Sequence, residues 1–569
     1  MVRLSNCLSL TAVVMTLLVT VIPTEQVWCS GDMALSCMVS LTLLAASFAV
    51  AISGVCYRVG IIDVVLIAWC LFTVGYAYVV PTYPVAQIVV KSVQLIMLFY
   101  ALRVCIAGHG SYGDVLAILI VVIALAEVLL GIYQAVTEGS RNNHFYMTGT
   151  FLNPGPYGTM LACGLITLLA LRRKYAAAIQ MHKHSSLINI ATLLAASLMS
   201  LLLLTTMSRA SILAFSVCLI CMYYGRIRKH LLPIGILLFI SALGFYLIKQ
   251  DSADSRLIIW QVSLYNIAMH AIVGTGPGSF LHQYADGMAT LSSSMPDGYF
   301  NTTDVVQYAF SFPLHIGVEQ GFIGLTFVTT LVIAVLFRMR SSECTLKWIL
   351  LLLFVTSLFS YTIELLPFQV LIVTACASLL SERDVYSVGS RVYTIPALLL
   401  CFTVSLCVIP YVSDRVMVNN RYQKIQGVLT AEYTQDYRAL FPYMDDNPVF
   451  LYDFARILAN DMRFSDSNAV LRDGMLISAD PMLYILQANN YRDMGELDMA
   501  EEYYRRAFAV MPNRLYPLYC MMQLYAGQPE RQSDALSMAR RVIDFPVKIA
   551  SPATDRMKDE ANRLLKSHY

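Results

Sequence analysis

Charge is scarce in this 569-residue chain: Asp, Glu, Lys and Arg make up 13% of it, about half the share of an ordinary soluble domain. That shortage excludes a protein that folds in water as a whole. With 39 basic and 37 acidic residues the net charge is +2, which leaves no bulk positive field to hold nucleic acid. A disulfide scaffold is also excluded, because Cys70, Cys163, Cys218, Cys221, Cys376, Cys401 and Cys407 lie inside apolar runs, where a thiol behaves as a small buried hydrophobe.

What abounds is apolar surface: 57% of the residues are hydrophobic, and the mean hydropathy is +0.62. Residues 1–411 hold 36 charged side chains, whereas the shorter stretch 412–569 holds 40. The chain therefore reads as a membrane body, 1–411, followed by a polar domain, 412–569. A bilayer core takes roughly 20 apolar residues per helix. On that measure spans are predicted near 8–22, 34–53, 61–80, 85–106, 113–135, 157–171, 187–205, 210–224, 231–248, 312–337, 347–363, 366–380 and 393–411. The first doubles as a candidate signal peptide, with Arg3, a short apolar run and then Thr24-Glu25-Gln26. The fold class expected is all-α, a polytopic membrane bundle of 12–13 transmembrane helices with a helical repeat domain after it.

Sidedness follows from the basic residues of the short loops, which cytoplasmic loops retain. Arg3, Arg58, Arg103, Arg172, Arg173, Lys174, Lys183, Arg226, Arg228, Lys229, Arg338, Arg340, Lys347, Arg383 and Arg391 fall on one side; Arg141, Arg209, Lys249 and Arg256 fall on the other. The first side is expected to be cytoplasmic. The loop 136–156, the large loop 249–311 and the C-terminal domain are then external.

In the C-terminal domain, Tyr484, Ala488, Tyr491, Ala500, Tyr504, Ala507 and Pro512 occupy the small and aromatic positions of a 34-residue tetratricopeptide repeat. A single repeat cannot bury its own apolar face, so neighbouring helix pairs are expected.

Three polar clusters interrupt the external side. Gly149-Thr150-Phe151-Leu152-Asn153-Pro154 ends a loop just before a span, and Asn153 can cap that helix or turn the chain. Ser208-Arg209 sits at a helix end, where an arginine either snorkels to headgroups or faces inward to grip phosphate with its planar fork. Arg256 and Trp260, four residues apart, share a helix face ahead of Gly274-Thr275-Gly276-Pro277-Gly278-Ser279-Phe280. Gly276 and Gly278 let backbone approach a ligand closely, but no Walker lysine accompanies them. Further on, His315 and Glu319 form an i,i+4 pair, either a base with its orienting carboxylate or a structural pair.

In order, these segments resemble the O-antigen ligase superfamily: O-antigen ligases, bacterial protein O-oligosaccharyltransferases and O-antigen polymerases. The carriers are Gly149–Pro154, Ser208-Arg209, Arg256…Trp260 with the glycine string, and Glu319-Gln320-Gly321-Phe322-Ile323-Gly324. The resemblance implies a GT-C-like, metal-independent, inverting glycosyltransferase of the inner membrane without a cofactor, its C-terminal domain in the periplasm. An undecaprenyl diphosphate-linked glycan would be the donor. Lipid A–core would be the acceptor, or alternatively an exported protein or a growing polymer, with membrane lipids the remaining partners. Arg209 and Arg256 would hold the diphosphate, with Asn153, Trp260, Gly276 and Gly278 in support. Two fixed guanidiniums suit a leaving group that gains negative charge, and the large loop has no Asp-x-Asp metal motif. His315 and Glu319 would be catalytic. One departure stands out, since the family usually has a histidine nine residues before this glutamate, where the chain has Phe310. A lipid-linked sugar transporter would explain the spans but calls for paired, repeated halves that the sequence lacks. An envelope scaffold would leave Arg209 and Arg256 unexplained.

Overall fold

A computed structural model describes residues 2–18, 21, 30–53, 60–80, 85–107, 111–140, 142, 145–248, 250–295, 299–300, 302, 306–381, 391–428, 430–547 and 550–567. Thr24, Glu25, Gln26, Arg58, Arg141, Lys249 and Arg383, used above for signal and sidedness, lie outside the described residues. The helices of the first part are α1 (Val2–Leu18), α2 (Ser30–Ser53), α3 (Ile61–Val79), α4 (Val85–Ile106), α5 (Tyr112–Thr137), α6 (Pro154–Lys174), α7 (Ala176–Met181), α8 (Ser185–Thr205), α9 (Arg209–Ile227), α10 (Leu231–Ile248), α11 (Gln250–Met269), α12 (Phe280–Ser292), α13 (Phe312–Arg340), α14 (Lys347–Ser357), α15 (Leu366–Ser381) and α16 (Arg391–Ile425). Then follow α17 (Thr434–Met444), α18 (Pro448–Asn460), α19 (Phe464–Ile477), α20 (Pro481–Asp493), α21 (Leu497–Val510), α22 (Leu515–Ala526), α23 (Gln532–Asp544) and α24 (Pro552–Lys566).

The protein is thus an all-α polytopic membrane protein, and a helix falls on each of the thirteen predicted spans. Among the described residues, nine helices are long and apolar enough to cross a bilayer, and three shorter apolar ones join them. Without a hydrophobic force between helices in lipid, close backbone approach supplies the packing. At the α5–α6 crossing a Cβ on Gly164 would come within 2.1 Å of the Ala124 Cβ, so only glycine allows that approach. Arg103, read above as a loop residue, instead ends α4 fully buried, its Nη1 2.5 Å from Asp63 Oδ1 on α3. The carboxylate compensates a charge that lipid would not tolerate unpaired.

Three expectations are revised. The 249–311 stretch is largely α11 and α12 rather than loop. The predicted boundary at 411 falls inside α16, which runs unbroken from the apolar segment into the polar one. The 347–363 span ends at Ser357, after which the chain turns and forms a short 3-10 helix at Thr362–Glu364.

Helices α17–α24 stack in sequence, each on the next. From α18 to α23 the odd members begin at Phe464, Leu497 and Gln532 and the even ones at Pro448, Pro481 and Leu515, a recurrence of 33 to 35 residues; the end members depart from it, Thr434 lying 30 residues before Phe464 and Pro552 37 residues after Leu515. Several starts carry a cap followed by proline at the first helical position: Asn447 before Pro448, Asp480 before Pro481, Ser551 before Pro552. Ala488, Ala500, Tyr504 and Ala507 are fully buried between neighbours. This core is not closed on itself. Ile258, Ile259 and Val262 of α11 and Phe280, Tyr284 and Met288 of α12 belong to the same apolar cluster. Polar ties join them, with Ser292 Oγ donating to the Ala509 carbonyl at 3.0 Å and Arg506 paired with Asp286. Met288→Ala should therefore cost about 2–5 kcal/mol locally and make 430–547 of the full-length chain more sensitive to limited proteolysis. Unchanged proteolysis would show that the two parts do not share a core.

Candidate functional site

The glycine string and the Glu319 segment meet at a break in α13. Gly321 has φ 59° and ψ −155°, incompatible with a helix, so the backbone groups around it lose their intrahelical partners. The turn after α11 takes them up. Thr275 and Gly276 N–H donate to the Val318 and Glu319 carbonyls at 3.0 and 2.8 Å, and Phe322 and Ile323 N–H donate to the Ala271 and Ile272 carbonyls at 2.8 and 3.2 Å. In a membrane protein such an exchange is what lets a helix break at all. The approach is tight: a Cβ on Gly321 would sit 2.5 Å from the Ile272 oxygen, and one on Gly274 would sit 2.5 Å from the Gln320 nitrogen. Trp69 and Tyr76 of α3 brace the joint, donating to Gln320 Oε1 at 2.7 Å and to the Gly274 carbonyl at 3.0 Å. Gly276 and Gly278, at φ 108° and 81°, shape the turn into α12.

The break aims the first turns of α13. Glu319 Oε1 lies 3.2 Å from His315 Nε2 and accepts the Phe280 N–H, the first of α12, at 3.4 Å. The carboxylate is thus held by a helix N-terminus, a favourable place for negative charge. The Phe280 ring lies 4.8 Å from the imidazole. Nε2 faces Glu319, and Nδ1 is the ring's other hydrogen-bonding atom. That atom is buried and has no hydrogen-bond partner among the described residues.

Arg256 of α11 comes to the same place from the other side. Its Nη1 donates to the Phe359 carbonyl at 2.9 Å, an oxygen freed by the early end of α14, and its guanidinium lies 5.0 Å from the centre of the Phe310 ring. Burial first, then the like charge of Arg209, lower its pKa to about 10, with Tyr361 opposing. It remains a cation at neutral pH. Arg209 begins α9 and donates from Nη2 to Ser252 Oγ at 3.3 Å. Like-charge coupling between two half-buried guanidiniums is costly unless an anion shares them. Trp260, one turn beyond Arg256, sits 6.3 Å from the Phe359 ring.

Asn153 takes the capping role: its Oδ1 accepts the Gly155 N–H at 2.9 Å at the start of α6. The cap is tied to the Arg209 helix through Ser211, whose Oγ lies 2.9 Å from Thr159 Oγ1 and 2.7 Å from Ser208 Oγ. Arg256 thus touches Phe310 and Phe359, Trp260 packs on Phe359 and His315 pairs with Glu319, while Arg209 lies near enough to Arg256 for their charges to interact and Gly276, Gly278 and Asn153 shape backbone turns.

Several participants were missed from the sequence. Phe310, where the resemblance calls for histidine, has φ 52° and puts an aromatic face, not an imidazole, beside Arg256. Tyr361 contacts it edge-on at 5.2 Å and stacks on Tyr308 at 4.9 Å. Glu364 follows in the 3-10 turn, close enough to His315 for their charges to interact. The signal was a run of Phe359-Ser360-Tyr361-Thr362 with Glu364 between two apolar stretches.

Residues 194–329 match the family model described as O-antigen ligase, a stretch that contains Arg209, Arg256, Trp260, the glycine turn, His315 and Glu319. No curated protein matches the chain. The chain is thus a multi-pass membrane protein in which residues 194–329 are similar to that family.

Gly321→Ala places a side chain in the left-handed region against the Ile272 carbonyl and should cost at least about 2–3 kcal/mol. Gly75→Ala on α3, where a Cβ meets nothing within 4 Å, should be neutral. Thermal unfolding of both variants in detergent checks this; equal melting would contradict the proposed joint.

Proposed function

We propose that the protein transfers an oligosaccharide en bloc from undecaprenyl diphosphate to an acceptor hydroxyl, with lipid A–core as the first acceptor reading and an exported protein or a growing polymer as alternatives. The observation that carries the reading is the pair of like-charged arginines, Arg209 and Arg256, beside Phe310 in the segment that leads to His315, whose Nδ1 has no hydrogen-bond partner among the described residues. Arg209 and Arg256 grip the diphosphate, and the guanidinium forks stabilise charge as it leaves, an effect of about 3 kcal/mol per well-placed donor. The acceptor oxygen forms a bond to the anomeric carbon from the face opposite the diphosphate. The bond from that carbon to the phosphate oxygen breaks, and undecaprenyl diphosphate departs with the electron pair. The acceptor proton goes to His315 Nδ1, while Glu319 holds the imidazole and stabilises the imidazolium. Configuration inverts, and no metal enters.

We place the site and α17–α24 on the periplasmic side of the inner membrane, on the Lys/Arg asymmetry of the loops. The helix pairs of α17–α24, with their recurrence near 34 residues, support a tetratricopeptide-like domain that presents acceptor or partner next to α12. An export-dependent reporter fused after Tyr569 should be active; activity of a cytoplasm-only reporter there would overturn the placement.

Arg209→Lys and Arg256→Lys should each reach the membrane in normal amount yet lose most transfer, because lysine keeps the charge but not the fork. His315→Ala should lose about two to four orders of magnitude and Glu319→Gln less. The assay is release of undecaprenyl diphosphate and extension of acceptor, per folded molecule. Near-normal transfer by both lysine variants would remove the arginines from the diphosphate site.

A further inference from the structure

At the other end of α9 from Arg209, two more arginines share one tyrosine ring. Arg173, in the last turn of α6, and Arg226, in the last turn of α9, lie 6.0 and 5.9 Å from the centre of the Tyr223 ring. Tyr223 has φ −109° and ψ 15°, a kink near the end of α9, and Arg173 Nη1 donates to the Met222 carbonyl just before it. Among the described residues neither guanidinium pairs with a carboxylate, and the stretch 172–230 contains no Asp or Glu. Asp114, which reaches this end of the bundle from α5, is already taken: it binds Lys174 Nζ at 2.7 and 2.8 Å and accepts from the Tyr175 hydroxyl at 2.5 Å. Arg228 and Lys229, both exposed, add further positive charge.

Two guanidiniums held against one ring repel each other unless an anion shares them, and their planar forks match the oxygens of a phosphate. The ring between them orders both through cation–π contact. Just past these cations the surface turns apolar. Leu232 and Ile236, in the first turns of α10, and Leu187 and Ile190, in the first turns of α8, are each more than half exposed, as side chains that face lipid are. A free phosphate would use the cations alone, and an acidic peptide would have to lie on exposed leucine and isoleucine. An anion that carries acyl chains uses both surfaces. We propose that Arg173, Tyr223 and Arg226 form a headgroup site for an anionic phospholipid, with its phosphate between the two guanidiniums and its acyl chains on the neighbouring lipid-facing helices. The site belongs to the side expected to be cytoplasmic, and it stands about 25 Å along α9 from Arg209 at 1.5 Å per residue. It is therefore separate from the diphosphate pair and does not depend on the transfer reading. A lipid held there ties the end of α6 to the kinked end of α9.

The test uses the full chain in detergent micelles that contain equal amounts of phosphatidylglycerol and phosphatidylcholine, with the lipids bound per chain counted by native mass spectrometry. The wild type should retain phosphatidylglycerol in preference. Arg226 makes no hydrogen bond among the described residues, so Arg226→Gln should fold normally and weaken phosphatidylglycerol binding about fivefold, the share of one cation at a lipid surface. Arg173→Gln should lose at least as much, and Arg226→Lys should recover part of the loss. Arg172→Gln, at a neighbour that does not reach the Tyr223 ring, should change binding little. No preference in the wild type, or an unchanged preference in Arg226→Gln, would overturn the site. An equal loss in Arg172→Gln would overturn it in favour of a diffuse basic surface. Displacement of the lipid by millimolar inorganic phosphate would overturn the lipid assignment in favour of a free phosphate.

Discussion

The structure depends on one exchange of backbone hydrogen bonds. A helix that breaks within an apolar segment must find new partners for its freed N–H and C=O groups, and here the turn after α11 supplies them, carbonyl for N–H in both directions across Gly274 and Gly321. That exchange fixes α11 against α13 and so brings Arg256 to the side of the bundle where His315 emerges. It also sets the start of α12, whose first N–H holds Glu319. The polar C-terminal helices rest on α11 and α12, so the same joint links the membrane body to the domain that follows it.

Around this joint the electrostatics are arranged by opposition. Arg256 and Arg209 raise each other's cost, and burial adds to it for Arg256, while the carboxylates of Glu319 and Glu364 lie on the imidazole side. A lipid diphosphate and a hydroxylic acceptor need those two environments next to each other and kept apart. The buried Arg103–Asp63 pair elsewhere in the bundle shows how the same chain treats an arginine with no ligand to meet: it provides a carboxylate at 2.5 Å. For Arg209 and Arg256, the contacts seen are a serine hydroxyl, a backbone carbonyl and an aromatic face, none of which neutralises charge.

The membrane helices were legible because length and apolarity report directly on a bilayer, and the span boundaries largely held. The exceptions were 393–411, whose helix runs on to Ile425, and 347–363, where apolar residues continue past Ser357 but the helix does not; composition cannot see that the Phe359 carbonyl is claimed by Arg256. The site was legible in its charged members, since Arg209, Arg256 and the His315–Glu319 spacing stand out against apolar surroundings. Glu364 was not, because it lies one residue beyond a predicted span and reads as a loop end. Phe310 was legible only as a missing histidine. Its left-handed backbone and its place beside Arg256 come from long-range contacts, with Tyr361 51 residues away along the chain. Of the helices in 249–311, the turn carrying Arg256 and Trp260 was read as helical, whereas α12 escaped notice because its apolar face is shared between α11 and the C-terminal helices α19 and α21.

The central claim is that Arg209 and Arg256 form one anion site facing the acceptor histidine. A cryo-electron microscopy structure of the full chain in nanodiscs with undecaprenyl diphosphate tests it most directly. The account predicts phosphate oxygens within about 3 Å of both guanidiniums, with the isoprenoid running out between helices into lipid and the diphosphate on the Phe310–Tyr361 side of His315. A diphosphate bound elsewhere, with either arginine turned to the headgroups, would contradict it.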